Sequence, residues 1–467
     1  MKYQDNKVSD IKIAYIGGGS RGWAWGLMSD LASCEDISGT VHLYDIDYAA
    51  ALHNETIGNK FKVAEGAKSV WDYKAAKTVE EALTGADFVV ISILPGTFDE
   101  MESDVHAPEK YGIYQSVGDT SGPGGIVRAM RTIPMYEEIA ENIKNYCPKA
   151  WVINYTNPMT LCVRALYRVF PEIRAFGCCH EVFGTQRFLM KMLEKKEGIT
   201  GLDRHDMKVS PVGVNHFTWL KSANFRNEDL FPLYAAFCDE HPDGYTDAQV
   251  DDNWMNNSFS SAEKVKMDMF RRYGWIAAAG DRHLAEFCEG KWYLASPERV
   301  REMHFGLTTV SWRKNDLKER LAHSKRLESG EETVKINGTG EEGVQQIRAL
   351  VGLRDLVTNV NLPNYGQIPN LPKGAVVETN AVFRSGEVTP VFAGDIPQSI
   401  YPLISRICGE QEELTAAIAD RDVKRIFTIF INDPLVTCSI EDAKKLFREM
   451  TENTKKYLAS YDLSVIE

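Results

Sequence analysis

The chain has 467 residues, 44% of them hydrophobic, which is more than one small core requires, so two domains sharing an interface and an intertwined sheet are the expectation. With 53 basic against 66 acidic residues its formal net charge is −13, which argues against a nucleic-acid partner, since affinity for a phosphate backbone rests on lysine and arginine releasing counterions. No stretch approaches the roughly 20 apolar residues of a membrane helix, and the start "MKYQDNKVSDIKIAYIGGG" lacks the apolar core of a signal peptide, so no membrane contact and a cytoplasmic setting are expected.

In chain order, "IKIAYIGGGSRGWAWGLMSDLA" is an apolar strand (Ile11 to Ile16), a glycine cluster, and a helix with Trp25, Leu27, Met28 and Leu31 at helical spacing. Gly17, Gly19 and Gly22 fit G-x-G-x-x-G in a strand-turn-helix setting, where glycines let backbone amides approach a pyrophosphate at a helix N-terminus. "GTVHLYDID" reads as a second strand ending in Asp45, an acid placed to bond a ribose 2′-hydroxyl and repel a 2′-phosphate, which favours NAD over NADP. The bland alternative is a glycine turn between a buried strand and its helix. A helix around "TVEEALTGA", a third strand "DFVVISI", a helix through "IVRAMRTIPMYEEIAENIKNYC", a fourth strand "AWVINYT", a helix from "PMTLCVRALYRVF" and a short fifth strand "IRAF" follow. This alternation predicts an α/β fold: a Rossmann-like, doubly wound parallel NAD-binding sheet over residues 1–195, then a mixed α+β domain over 196–467 for substrate binding and oligomerisation. In the second half, "VVETNAVFRSGEVTPVFA" alternates like paired strands, "EDAKKLFREMTENTKKYL" is an amphipathic helix, and "AHSKRLESGEETVKINGTGEEG" reads as an exposed polar excursion.

Ligands collect beyond the carboxyl ends of parallel strands, and the chemically loaded segments fall there. Gly17, Gly19, Ser20, Gly22, Asp45 and Asn154 are the candidate cofactor contacts. "GCCHEVFG" (177–184) is a metal site, a catalytic site or a buried turn; the nine cysteines show no disulfide-framework spacing and no Cys-x-x-Cys, so most are expected to be small buried hydrophobes. "VGVNHFTWL" (212–220) is a strand interrupted by Asn215 and His216, and His216 with Cys179 would make an open, catalytic metal site. "VGDTSGPGG" (117–125) is a surface loop or a backbone close to cofactor, with Asp119 near the metal or its water. In "AAAGDRHLAEF" (277–287), His283 and Glu286 share one helix face, though a solvated helix start explains the charges equally well.

"IAYIGGGS", "LYDID", "GDTSGPGG", "NYTNP", "CCHEVFG", "GVNHFTW" and "GDRHLAEF", in that order, resemble glycoside hydrolase family 4, a family of NAD- and manganese-dependent glycosidases that depart from the two-carboxylate scheme. The resemblance runs from about residue 11 to 290, more weakly to the C-terminal helix, and implies a lactate/malate dehydrogenase-like architecture in homodimers or homotetramers. It implies that Cys179 and His216 bind Mn2+ or another divalent metal, that Asn157 contacts the sugar, that His180 is the general acid, and that Asp281 is the base, with His283 its rival. The implied reaction is elimination and addition: C3 oxidation by NAD+, C2 deprotonation, loss of the aglycone from C1, water addition and return of the hydride. Asp99, Glu100, Glu102 and Asp104 would repel a sugar 6-phosphate, and "CHEV" (179–182) resembles the α-galacturonidases of the family, so an unphosphorylated small-molecule α-galacturonide is the expected substrate, with Arg282 facing its carboxylate. An α-glucuronide or neutral α-glucoside stays open, as do a plain NAD-dependent 2-hydroxy-acid dehydrogenase and a nucleotide-sensing protein without turnover.

Overall fold

Residues 13 and 15 of the strand Lys7–Ile16 point into one core and residues 14 and 16 into another, because successive side chains of a strand face opposite ways. The same alternation in Phe88–Ile91 (Val89 and Ile91 against Phe88 and Val90) makes a sheet buried on both faces, the condition for an all-parallel arrangement. A computed structural model describes residues 1–250, 258–307 and 309–466, and in it the parallel strands lie in the order Trp71–Ala76, Ile37–Tyr44, Lys7–Ile16, Phe88–Ile91, Trp151–Asn154, Arg174–Gly177. This is the doubly wound order 3-2-1-4-5-6, with the reversal beside Lys7–Ile16. Helices Trp23–Ser33, Val79–Leu83, Gly122–Tyr146 and Met159–Val169 lie where expected, whereas the helix Tyr48–Lys60 and the strand Trp71–Ala76 are elements that periodicity did not single out.

The sheet does not stop at residue 177. Leu356–Pro363 pairs antiparallel with Arg174–Gly177, and Val376–Arg384, Met207–Val214 and Phe217–Phe225 extend it, all antiparallel. The second half of the chain thus contributes both an antiparallel wing and helices on the nucleotide sheet. "VGVNHFTWL" is two strands, Met207–Val214 and Phe217–Phe225, with Asn215 and His216 as the connection between them. Of the segment 322–343, the part to Ser329 is helical within Val310–Ser329, and residues 330–340 are the expected polar excursion, mostly exposed and without helix or strand, tied back where Asn337 and Thr339 bond Ser29 and Asp30 of the first helix. Eight of the nine cysteines are buried and all nine are free thiols. Among the described residues no helix is long and apolar enough to cross a membrane.

Candidate active site

At the end of Lys7–Ile16 the chain turns through Gly17, whose φ of 93° belongs to the left-handed region and whose Cβ, if present, would lie 2.0 Å from the Ser92 carbonyl oxygen. The loop then opens the helix Trp23–Ser33, so its amides face an anion at a positive helix end. Asp45 lies over the loop just past Ile37–Tyr44: its Oδ2 accepts from the Gly19 amide at 2.9 Å and its Oδ1 from the Asp47 amide at 2.9 Å. The amides of Gly17 and Gly18 bond the Tyr44 carbonyl and that of Gly19 bonds Asp45, so among the described residues the donors a dinucleotide pyrophosphate would find are the amides of Arg21 and Gly22 and of the first turn of Trp23–Ser33, a helix end that suits such an anion. Ser20 donates its amide to the Gly17 carbonyl at 3.0 Å and shapes the turn. Asn154 takes another part: its side chain is fully buried, donates to the Thr156 carbonyl at 3.0 Å and accepts from Tyr136 and the Thr156 amide, so it braces the 154–158 turn from inside instead of facing a cofactor.

Beyond the same sheet end three donors converge: atoms of Asp119, His216 and His283 lie within 4.8 Å of one another. Thr120 organises two of them, donating its hydroxyl to Asp119 Oδ1 at 2.7 Å while standing 3.2 Å from His216 Nδ1. Since that hydroxyl proton goes to the carboxylate, Nδ1 must carry the ring proton and Nε2 keeps its lone pair, the tautomer a metal ligand needs. Burial alone would raise the Asp119 pKa, but its surroundings, the Arg128 charge foremost, outweigh it and hold the carboxyl at about 2. Burial, then the neighbouring His283, lowers His216 to about 3, so the imidazole stays neutral. Carboxylate and imidazole donors suit a divalent ion such as Mn2+, and His283 Nδ1 and Asn157 Oδ1 are buried without a partner beside them. Asn157 approaches the cluster too, its amide donating to Asp119 Oδ2 at 3.5 Å.

Cys179 is buried near Asn215, the residue before His216, and burial, with Glu378 and Glu181 nearby, pushes the thiol well up. Among the described residues the donors that lie within 4.8 Å of one another are Asp119, His216 and His283, a group that contains His216 of the two expected ligands and not Cys179. His180 precedes the helix Glu181–Glu197, its ring stacked 6.0 Å from Trp23 of the first helix and its Nδ1 3.1 Å from Glu341 Oε1, a bond that raises its pKa.

Asp281 does not reach this cluster with its carboxylate. Its oxygens accept from the backbone amides of Val265 (3.1 Å) and Lys266 (2.9 Å), capping the first turn of Lys264–Tyr273 from a distance in sequence. The expectation that it is the base is corrected on that ground, and its rival His283 is the residue the fold brings in, 3.9 Å ring to ring from His216. Arg282 points to the rim, its Nη2 donating to the Ser116 carbonyl at 2.9 Å. The four acids meant to repel a phosphate do not form an open anionic field: Asp104 pairs with Arg131 in the core, Glu100 with Lys456, and Asp99 and Glu102 with Lys314.

Residues to which the sequence assigned no role complete the site. Glu286 accepts from the amides of Val117 (2.7 Å) and Gly118 (2.9 Å) and so fixes the loop that carries Asp119; Glu181 accepts from the Gly280 amide at 2.7 Å and stands 3.7 Å from His283 Nε2. Arg320 donates to the Arg21 carbonyl at 3.1 Å beside Gly22. Their roles come from pairings more than 90 residues apart in sequence, which periodicity cannot show.

Residues 12–195 match family 4 glycosyl hydrolase and residues 211–436 match the family 4 glycosyl hydrolase C-terminal domain. The chain belongs to glycoside hydrolase family 4. This family 4 chain is 62% identical to an alpha-galacturonidase of Thermoanaerobacterium saccharolyticum over 463 residues, 99% of this chain and 100% of the relative. It is 48% identical to an alpha-galacturonidase of Bacillus subtilis over 95% of this chain and 98% of the relative. The crystal structure of lplD from Bacillus subtilis shares the family 4 fold at a TM-score of 0.89 and 48% identity, covering 95% of this chain and 100% of that one. A 6-phospho-alpha-glucosidase from gut microorganisms, in complex with NAD and Mn2+, shares the fold at 0.79 with 20% identity over 96% of this chain and 99% of that one.

Proposed function

We propose that the protein hydrolyses unphosphorylated α-galacturonides with NAD and a divalent metal, Mn2+ for preference. The observation that carries this reading is the Asp119–His216–His283 cluster at the carboxyl end of a sheet whose first crossover holds the glycine loop; the alpha-galacturonidase relatives supply the sugar. When bound, NAD+ supplies a reversible hydride acceptor for the sugar C3, and the metal a Lewis acid that makes the C2 proton removable.

The chain's own groups do the rest. The amides of Arg21, Gly22 and the first turn of Trp23–Ser33 would bind the pyrophosphate and Asp45 the ribose hydroxyls. Asp119 and the Nε2 of His216 hold the metal, with Cys179 the remaining soft donor behind them. Asn157, with an unpartnered Oδ1, orients the sugar hydroxyls. His283 takes the C2 proton on Nδ1: Glu181 lies at its Nε2 side, so the carboxylate orients the ring and the unpartnered nitrogen faces the site. His180, biased toward its protonated form by Glu341, gives a proton to the departing glycosidic oxygen. Water then adds at C1, and no net oxidation results. A cytoplasmic, reducing setting suits the nine free thiols, and a homodimer or homotetramer belongs to the same reading. Incubating the protein with a chromogenic α-galacturonide, with and without NAD+, Mn2+ and reductant, tests it. Hydrolysis that requires both additives is expected, and hydrolysis indifferent to both overturns it.

A further inference from the structure

A uronate differs from its neutral sugar by one carboxylate, and a site that selects it must offer a cation whose charge is not already cancelled. Around Asp119 there are three candidates. Arg128 is 4% exposed, lies against Asp119 and donates its Nε to the Asn157 carbonyl at 3.1 Å, so it serves the metal side of the site. Arg282 and Arg313 instead meet at the rim, where both guanidinium groups sit over the ring of Phe259, at 4.8 and 5.6 Å from its centroid. Phe259 is 50% exposed and packs edge-on against Trp312 at 5.0 Å, forming an aromatic wall open to solvent on one side.

The two cations come from different elements. Arg282 follows Asp281 in the short helix Asp281–Glu286, next to the proposed base His283, and is tied to the 115–118 loop by its bond to Ser116; its Nε is buried without an acceptor. Arg313 lies in the N-terminal part of Val310–Ser329, and among the described residues its guanidinium makes no hydrogen bond or ion pair; the carboxylates that act on it are Asp119, bonded to Thr120, and Asp316, paired with Arg320. The acids that face Arg282, namely Glu286, Glu181 and Asp119, are committed to backbone amides of 117, 118 and 280 and to Thr120. Two guanidinium groups held over one ring repel each other. A ligand carboxylate placed there would relieve that repulsion and find an unpaired fork of donors.

We propose that Arg282 and Arg313, clasping the Phe259 ring, form the subsite for the C6 carboxylate of the sugar, with Arg313 supplying the charge that separates a galacturonide from a galactoside. The inference rests on the galacturonidase reading for the identity of the sugar. Calorimetric titration of the enzyme loaded with NAD+ and Mn2+, with D-galacturonate and with D-galactose, tests it in the wild type, Arg313→Met and Arg313→Lys. The wild type is expected to prefer the acid by about 30-fold or more, the scale of one desolvated charge pair; Arg313→Met should bring the ratio close to one, and Arg313→Lys should keep part of it. A ratio unchanged in Arg313→Met, whether affinity for both sugars holds or falls in parallel, overturns the subsite, and so does a wild type that binds both sugars equally. The galacturonidase reading fails by a different result: a wild type that binds galacturonate through Arg313 but does not cleave its aryl glycoside keeps the subsite and loses the activity.

Discussion

Replacing Asp281 by asparagine separates a cap from a catalytic base. In the folded chain the carboxylate accepts from two amides in the first turn of Lys264–Tyr273 and is fully buried. Asparagine keeps one acceptor oxygen and turns an NH2 toward the other amide, so one charge-assisted bond is lost and one buried N–H is orphaned, a cost of about 1–3 kcal/mol. Hydrogen exchange followed by mass spectrometry on the peptide covering 264–273 reads this directly: protection should fall about 5- to 150-fold. Burial, then the charge of Glu263, raises the Asp281 pKa above its unfolded value. The folded state therefore holds the proton more tightly, and the wild type loses stability as pH rises from the ordinary carboxyl range toward neutrality. Asparagine does not titrate, so the gap between variant and wild type should narrow as pH rises from 5 to 8. Turnover of the folded variant should stay within about tenfold of wild type, since general-base loss costs about 10²–10⁴. Full protection of 264–273 with turnover lost by a thousandfold would refute the capping argument and restore Asp281 as the base.

The other expectations are shorter. His283→Asn should bind Mn2+ within about threefold of wild type, by dialysis and metal analysis, yet lose about 10²–10⁴ in kcat; metal loss equal to that of His216→Ala would make His283 a ligand instead. Thr120→Val removes the hydroxyl between Asp119 and His216, and Mn2+ affinity should drop about 10- to 100-fold, as for other groups that orient a ligand; unchanged affinity contradicts the tautomer argument. Asp45→Ala should weaken NAD+ binding, measured by fluorescence titration, and narrow the gap to NADP+, because the anion beneath the ribose is gone; a fall in NAD+ affinity with the NADP+ gap preserved points to loop collapse. Arg131→Met should destabilise the chain by about 3–5 kcal/mol by leaving the buried Asp104 carboxylate unpaired; a denaturation midpoint like that of wild type would show that Asp104 finds another partner.

The parallel half of the fold was legible because its strands are apolar on both faces and its glycine loop, Asp45 and "NYTNP" sit at strand ends. Trp71–Ala76 escaped because it is an edge strand, half solvated, with Asp72 and Lys74 outward. Polarity marked the exposed stretch 330–340 but hid the end of the helix Val310–Ser329, whose last turns are themselves polar. His216 was picked out as a break in a strand, which is what a two-residue connection between paired strands looks like from within one sequence. Asp281 and His283 could not be separated by spacing, since both lie in one short helix. Only the position of the Val265 and Lys266 amides shows which of the two is spoken for. Thr120, Glu181 and Glu286 lie in the quoted motifs, but their parts, like that of Arg313, depend on groups brought from far along the chain.

The central claim is that a histidine of this site removes the sugar's C2 proton in a reaction that needs NAD. Hydrolysis of an α-galacturonide in D2O, followed by NMR of the released galacturonate, measures it. Deuterium at C2, formed only when NAD+ and Mn2+ are present and lost in His283→Asn, is the predicted result. Galacturonate released at full rate with protium at C2 and without NAD+ would contradict it.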